Sequence, residues 1–316
     1  MSAAARPYPP KPAEVYFFGT CLVDLVYPDA GLAAVELIER EGVRVIFPQG
    51  QTCCGQPAFN SGYRREAREV ARAQLALFPK PIPIVVPSGS CGAMLAVHYP
   101  HLFDPADGGA HGGATAEPFA PRASARAAEH AQARALAERV FEWSDFLVNV
   151  LRVRLEDRGP PCAVTYHPSC HLQRELGVTD APLALLRQLR HVELRPLPEA
   201  EQCCGFGGTF SVKHGAISEA MVADKCACVR ETGAAVLVSM DAGCLMNIAG
   251  ALEKARATPL AGTAQAGTAQ PGTAQAGSAR PGTAQAGAGA AASDPTRPPV
   301  RAVPLPRFLK ERVHGA

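Results

Sequence analysis

The sequence predicts an α/β protein of two pseudo-symmetric lobes, each a parallel sheet of βαβ units with a Cys-Cys-Gly motif at its carboxyl edge. Three observations carry this expectation. Short apolar runs alternate with helix-forming stretches, the order that gives parallel strands joined by crossover helices. That order restarts halfway along the chain. One cysteine pattern is also written twice: Cys21, Cys53-Cys54 and Cys91 recur as Cys170, Cys203-Cys204 and Cys244, at offsets of 149, 150, 150 and 153 residues.

In the first half, Val15 to Gly19 (VYFFG) reads as a buried strand and about Gly31 to Glu41 as the helix after it. Val43 to Phe47 reads as the second strand, Arg64 to Phe78 as helix and Ile82 to Val86 as the third strand. Residues 122–153, rich in Ala, Arg and Glu, read as mostly helical, with Trp143 and Phe146 in the core and the mixed charges on a solvated or partner-facing surface. In the second half the strands are Ala163–Tyr166, His191–Leu194 and Ala235–Val238, and the helices Leu183–Leu189 and Ala216–Glu231. The closing VRAVPLPRFLKERV reads as a short strand and a final helix.

The layout expected is a first cysteine-rich lobe at 1–120, a helical connection at 121–160 and a second lobe at 161–256. A low-complexity insertion follows at 257–299, and a strand and helix at 300–316 return onto the second lobe. Between Gly262 and Gly287 the insertion repeats every five residues (GTAQA, GTAQP, GTAQA, GSARP, GTAQA). Such a composition buries too little to offset its ordering entropy, so it reads as a flexible segment. Asp107 to Glu117 (DGGAHGGATAE) reads as a surface loop.

Composition narrows the function. At 316 residues two domains are expected, and 47% hydrophobic against 19% charged residues excludes disorder of the whole chain. Lys plus Arg is 31 and Asp plus Glu 29, a net +2 with no polyanion footprint, and aromatics at 6% offer no stacking platform, so nucleic acid is not an expected partner. There is no secretory h-region at the start and no apolar run long enough for a membrane span. The expected location is the cytoplasm, where thiols stay reduced, so eleven cysteines point to metal or redox chemistry rather than disulfides.

Every cysteine of the repeat follows a predicted strand. In a parallel sheet those loops share the carboxyl edge, so four thiols converge per lobe. A Cys₄ set can hold structural zinc. Adjacent cysteines suit a cluster better, because neighbouring thiolates can take different irons. Glycines beside the thiols let backbone N–H groups approach the sulfurs. The expected cofactor-binding and metal-ligating residues are therefore Cys21, Cys53, Cys54, Cys91, Cys170, Cys203, Cys204 and Cys244, with iron–sulfur clusters as the first reading and zinc in one or both lobes as the alternative.

The segments GTC at 19–21, QTCCGQPAFNSG at 51–62, PSGSCGAM at 87–94, YHPSCHL at 166–172, EQCCGFGGTFSVK at 201–213 and DAGCLMNI at 241–248 resemble the two CCG repeats of the lactate utilisation protein A family. The same repeat occurs in the iron–sulfur subunit of glycolate oxidase and in the cysteine-rich subunit of heterodisulfide reductase. The resemblance implies an iron–sulfur subunit, of [4Fe–4S] type with one cluster per lobe, in a flavin-free L-lactate oxidation complex. It implies an oxidoreductase component that acts with partner subunits, one carrying ferredoxin-type clusters, on electrons from a small 2-hydroxy acid. The alternatives are a glycolate oxidase-type subunit, a heterodisulfide reductase-like thiol/disulfide oxidoreductase, and a zinc-bearing non-enzymatic scaffold. The fullest CCG repeat ends in C-x-x-C, whereas Ser88 and Asp241 stand three residues before Cys91 and Cys244. That departure counts against the five-cysteine centre and against disulfide reduction.

Other residues have plainer readings. Cys226 and Cys228 lie two apart on a helix and face different ways, so they read as ordinary helix cysteines. Cys162 reads as a small buried hydrophobe. His167 and His171 flank Cys170 and are weighed as Rieske-like ligands against hydrogen-bond donors or helix caps, the latter preferred. Lys213 and His214 are weighed as anion contacts against a solvated loop edge, and Asn60 reads as a turn residue. GFGGTF at 205–210 lacks the final glycine of a dinucleotide fingerprint, so nicotinamide binding is rejected. No catalytic residue is assigned.

Overall fold

The computed structural model describes residues 7–104, 123–257 and 299–315. The loop expected at Asp107–Glu117 lies outside these residues, as does the insertion expected at 257–299 apart from its two end positions.

The first lobe runs β1 (Glu14–Phe17), α1 (Cys21–Val26), α2 (Pro28–Glu39), β2 (Arg44–Ile46), α3 (Gln56–Asn60), α4 (Arg64–Leu75), β3 (Ile84–Val86), α5 (Gly89–Ala93), α6 (Tyr99–Leu102), α7 (Ala123–Ala137), β4 (Val140–Glu142) and α8 (Trp143–Asp145). The second runs β5 (Cys162–His167), α9 (Ala181–Arg187), β6 (Val192–Arg195), α10 (Thr209–Lys213), α11 (Gly215–Glu231), β7 (Val236–Ser239), α12 (Ala242–Ala257), β8 (Arg301–Pro304) and α13 (Leu305–His314). The sheets have the orders β2-β1-β3-β4 and β6-β5-β7-β8, with every pairing parallel. The two lobes thus repeat one topology, as the cysteine spacing predicts.

One expectation needs correction. Residues 122–153 are mostly helical, as expected, over Ala123–Ala137 and again from Trp143 to Leu151, but the helix is broken between them. Residues 140–142 (VFE) are β4, parallel to β3 in the first sheet, with Val85 opposite Phe141. The Ala- and Arg-rich flank carries a strong helical preference that hides a three-residue strand, and burial of all three strand residues overrides it. The segment expected as a helical connection therefore supplies the first sheet's edge strand, and β8 is its counterpart in the second. Trp143 is fully buried and its indole N–H donates to the Ala34 carbonyl at 3.0 Å.

Strand side chains alternate between faces. In β1, Val15 and Phe17 enter a central core while Tyr16 enters an outer one. The central core also takes Val164 and Tyr166 of β5, Val236 and Val238 of β7, and Val85 of β3, so both sheets share it. Helices α4, α6 and α7 cover the outer face of the first sheet, and α11 and α12 that of the second. The final helix crosses the lobe boundary. Leu305, Phe308 and Leu309 of α13 pack with Leu37 and Ile38 of α2, and Lys310 pairs with Glu36 at 2.6 Å. In the mirrored position, α8 packs on α9. Each lobe's last helix thus rests on the other lobe's first crossover. No helix among the described residues is long and apolar enough to cross a membrane.

Candidate metal centres

Cys21 and Cys170 open the helical turns that follow the first strand of each lobe. The preceding hydroxyl residue caps that turn in both cases: Thr20 Oγ1 accepts from the Val23 N–H at 3.3 Å, and Ser169 Oγ from the Leu172 N–H at 3.2 Å. Gln51 ties the loop after β2 to the end of β1, accepting from Gly19 N and donating to the Phe17 carbonyl, each at 2.9 Å.

The Cys-Cys-Gly turns are near copies. Gly55 and Gly205 have φ of +88° and +81°, and the N–H of each points back at the first thiol, 3.4 Å from Cys53 Sγ and from Cys203 Sγ. A side chain would be strained at that φ, and at Gly205 a Cβ would also stand 2.8 Å from the Ser218 carbonyl. The second cysteine of each pair turns inward: Cys54 and Cys204 are 2% and 1% exposed. Their carbonyls accept from Tyr99 Oη and Asn247 Nδ2, each at 2.9 Å. Cys91 and Cys244 lie in the first turns of α5 and α12.

In each lobe the four thiols form one interacting chain, Cys21 to Cys53 to Cys54 to Cys91, and Cys170 to Cys203 to Cys204 to Cys244. Hydrogen bonds from the Cys21 and Cys54 thiols, helped by Gly55 N–H, hold Cys53 down at about 3. The Cys170 and Cys204 thiols and Gly205 N–H hold Cys203 down at about 2. The donors Cys21, Cys54, Cys170 and Cys204 are pushed up by the same bonds and by burial. A cation seated in either group would draw off the remaining thiol protons.

The donor set fits a soft metal. Cys170 Sγ and Cys203 Sγ are 3.9 Å apart. Thiolates sharing one tetrahedral ion at about 2.3 Å would be about 3.8 Å apart. His167, Cys204 and Cys244 present ligand atoms that all lie within 4.8 Å of one another. Both ring nitrogens of His167 are buried without a hydrogen-bond partner among the described residues, and burial keeps the ring neutral by lowering its pKa to about 4.

The positions lacking a fifth cysteine are filled by a shared contact. Asp241 Oδ1 accepts from the N–H groups of Gly243 (3.1 Å) and Cys244 (3.3 Å), capping α12. Its Oδ2 accepts from Ser90 N (2.9 Å) and Ser88 Oγ (3.3 Å), capping α5 of the other lobe. Nearby, Ser61 Oγ meets Thr209 Oγ1 at 2.5 Å, so the two cysteine loops face one another.

Lesser candidates sort as follows. Cys226 is buried with Sγ towards the Ile248 carbonyl, and Cys228 is partly buried. Cys162 opens β5 with Sγ 3.6 Å from Arg312 Nη1. His171 faces Glu175 at 3.7 Å. Lys213 Nζ sits 5.2 Å from the centre of the Tyr63 ring, the His214 ring lies tilted against Phe210, and Asn60 ends α3. Sequence reasoning passed over Lys225, which is fully buried in α11 with Nζ 2.5 Å from the Glu199 carbonyl. The repeat offset could have found it, since its first-lobe counterpart is the apolar Leu75.

Residues 15–96 and 164–249 each match the CCG cysteine-rich domain family. Fold and thiol groups together define a tandem CCG protein. The chain is 48% identical to Lactate utilization protein A of Geobacillus kaustophilus over 243 residues, 76% of this chain and 92% of that one. It is 48% identical to that of Bacillus licheniformis over 239 residues (75% and 91%) and 44% identical to that of Halalkalibacterium halodurans over 241 (76% and 90%). The chain belongs to the lactate utilization protein A family.

Proposed function

We propose that this chain is a cytoplasmic iron–sulfur electron-transfer subunit of an L-lactate oxidation system. It would pass electrons from lactate to partner iron–sulfur subunits, one of which carries ferredoxin-type clusters. The observation that carries the reading is the pair of four-thiol groups, each centred on a CCG turn at the carboxyl edge of its sheet, in a chain whose relatives are named for lactate utilisation.

The ligands would be Cys21, Cys53, Cys54 and Cys91 in the first lobe and Cys170, Cys203, Cys204 and Cys244 in the second. A bound [4Fe–4S] cluster supplies one-electron chemistry. This chain's residues do the rest. The Gly55 and Gly205 N–H groups donate to sulfur and stabilise its negative charge. The buried Cys54 and Cys204 keep water from one side of each site. Asp241 and Ser88 are spent on each other, which supports the electron-transfer reading over five-cysteine disulfide reduction.

A second reading has one observation in its favour: the 3.9 Å separation of Cys170 and Cys203 also suits a single zinc ion. The physiological role is tested by deleting the gene and assaying L-lactate-dependent dye reduction in extracts. Loss of the activity, restored by the wild-type chain and not by Cys204→Ser, is expected. Full lactate-dependent reduction without the gene would contradict the reading.

A further inference from the structure

We infer that the two centres are chemically unequal: the imidazole of His167 is a nitrogen ligand of the second, while the first is all-thiol. The inference rests on the reading that both lobes hold iron–sulfur centres, and goes beyond it in assigning a ligand that the cysteine pattern does not contain.

His167 is the last residue of β5, three positions before Cys170, so its backbone lies at the edge where the thiols gather. It is 1% exposed, and neither ring nitrogen has a hydrogen-bond partner among the described residues. Leaving both polar atoms of a ring unpaired inside a protein is costly, and such groups are normally satisfied by protein, water or metal. Here the ring stands against Cys204 and Cys244, with ligand atoms mutually within 4.8 Å. Neutral imidazole is a common metal ligand and replaces thiolate on iron in Rieske-type centres.

The repeat sharpens the contrast. The residue 149 positions earlier is Phe18, fully buried in the apolar core that also holds Cys54 and Cys91. That ring cannot ligate anything. Lys225 and Leu75 differ in the same sense across the lobes. Asp241 is no competing donor, because both of its oxygens are engaged in capping α12 and α5. The non-cysteine donor of the second lobe therefore comes from the strand end, where His167 takes one iron in place of one of the four thiolates. With a neutral nitrogen in place of one thiolate, the second centre is less negative than the first, and so the easier of the two to reduce.

The test is pulsed electron paramagnetic resonance on the full chain, purified without oxygen and reduced stepwise, with natural-abundance and ¹⁵N-labelled histidine compared. One of two iron–sulfur signals should carry the hyperfine coupling of an iron-bonded nitrogen, altered by the label. His167→Cys should abolish it, retain iron and sulfide, and move that centre to a more negative potential. His167→Phe, which copies the first lobe, should abolish it without changing the other signal. Two centres with no histidine-dependent coupling, or only the weak coupling of a hydrogen-bonded ring, would overturn the inference and leave the electron-transfer reading standing. Absence of iron and sulfide would overturn both.

Discussion

Ser88 Oγ donates to Asp241 Oδ2 at 3.3 Å across the boundary between the lobes, and the two residues hold corresponding places in the repeat. Each stands three positions before the last cysteine of its set. One carboxylate thereby caps the helix bearing Cys244 and the helix bearing Cys91. The contact couples the geometry of one thiol group to that of the other.

Asp241→Ala should therefore destabilise the metal-free protein by about 2–4 kcal/mol, from a lost helix cap and from donors left buried without a partner. Ser88→Ala removes one neutral donor and should cost about 1 kcal/mol. Urea unfolding of both variants checks the order.

Glu142 is buried at the end of β4, and burial raises its carboxyl to about 7 although Ser144 and Asp145 donate to it. A folded pKa above the ordinary 4.5 means the folded state binds a proton that the unfolded state has released. Its contribution is fully present below about 4.5 and is lost as pH rises through about 7, by at most on the order of 3 kcal/mol. Glu142→Gln should flatten that slope. Denaturant midpoints collected across the window decide it.

Arg312 and Asp157 form a buried two-pronged ion pair, Nε and Nη2 each 2.8 Å from a carboxylate oxygen, that pins the final helix to the segment before β5. Arg312→Met should cost about 3–5 kcal/mol, because Asp157 keeps a buried charge without its partner. Asp157→Asn combined with Arg312→Met should recover part of the loss. Thermal unfolding of the single and double variants measures both.

Gly205→Ala should impair the second thiol group more than Gly55→Ala impairs the first. Both positions have left-handed φ, costing about 1–2 kcal/mol for a residue with a Cβ. At Gly205 the new Cβ meets the Ser218 backbone carbonyl at 2.8 Å, whereas at Gly55 it meets a Val70 methyl at 3.3 Å that can move. Metal retained per lobe after anaerobic purification compares them.

Much of this was legible in the sequence, for a physical reason. Parallel strands put every following loop on one edge, so a duplicated spacing of cysteines after short apolar runs already implies two convergent groups. Strand β4 was hidden because three buried residues between helix formers leave no periodic signal. The cross-packing of α13 on α2 was hidden because an apolar helix face does not name its partner. The absence of cysteine at Ser88 and Asp241 was visible, but their joining each other was not, since no pattern in one chain reports a contact 153 residues apart. His167 could be weighed from its place beside Cys170. Its unpaired nitrogens became visible only with the packing around it.

The most direct test of the central claim is iron, zinc and acid-labile sulfide per chain in protein purified without oxygen, for wild type, Cys54→Ser and Cys204→Ser. Two four-iron centres predict about eight irons and eight sulfides, with each substitution removing about half. Zinc without sulfide, unchanged by anaerobic reconstitution with iron and sulfide, would contradict the electron-transfer account.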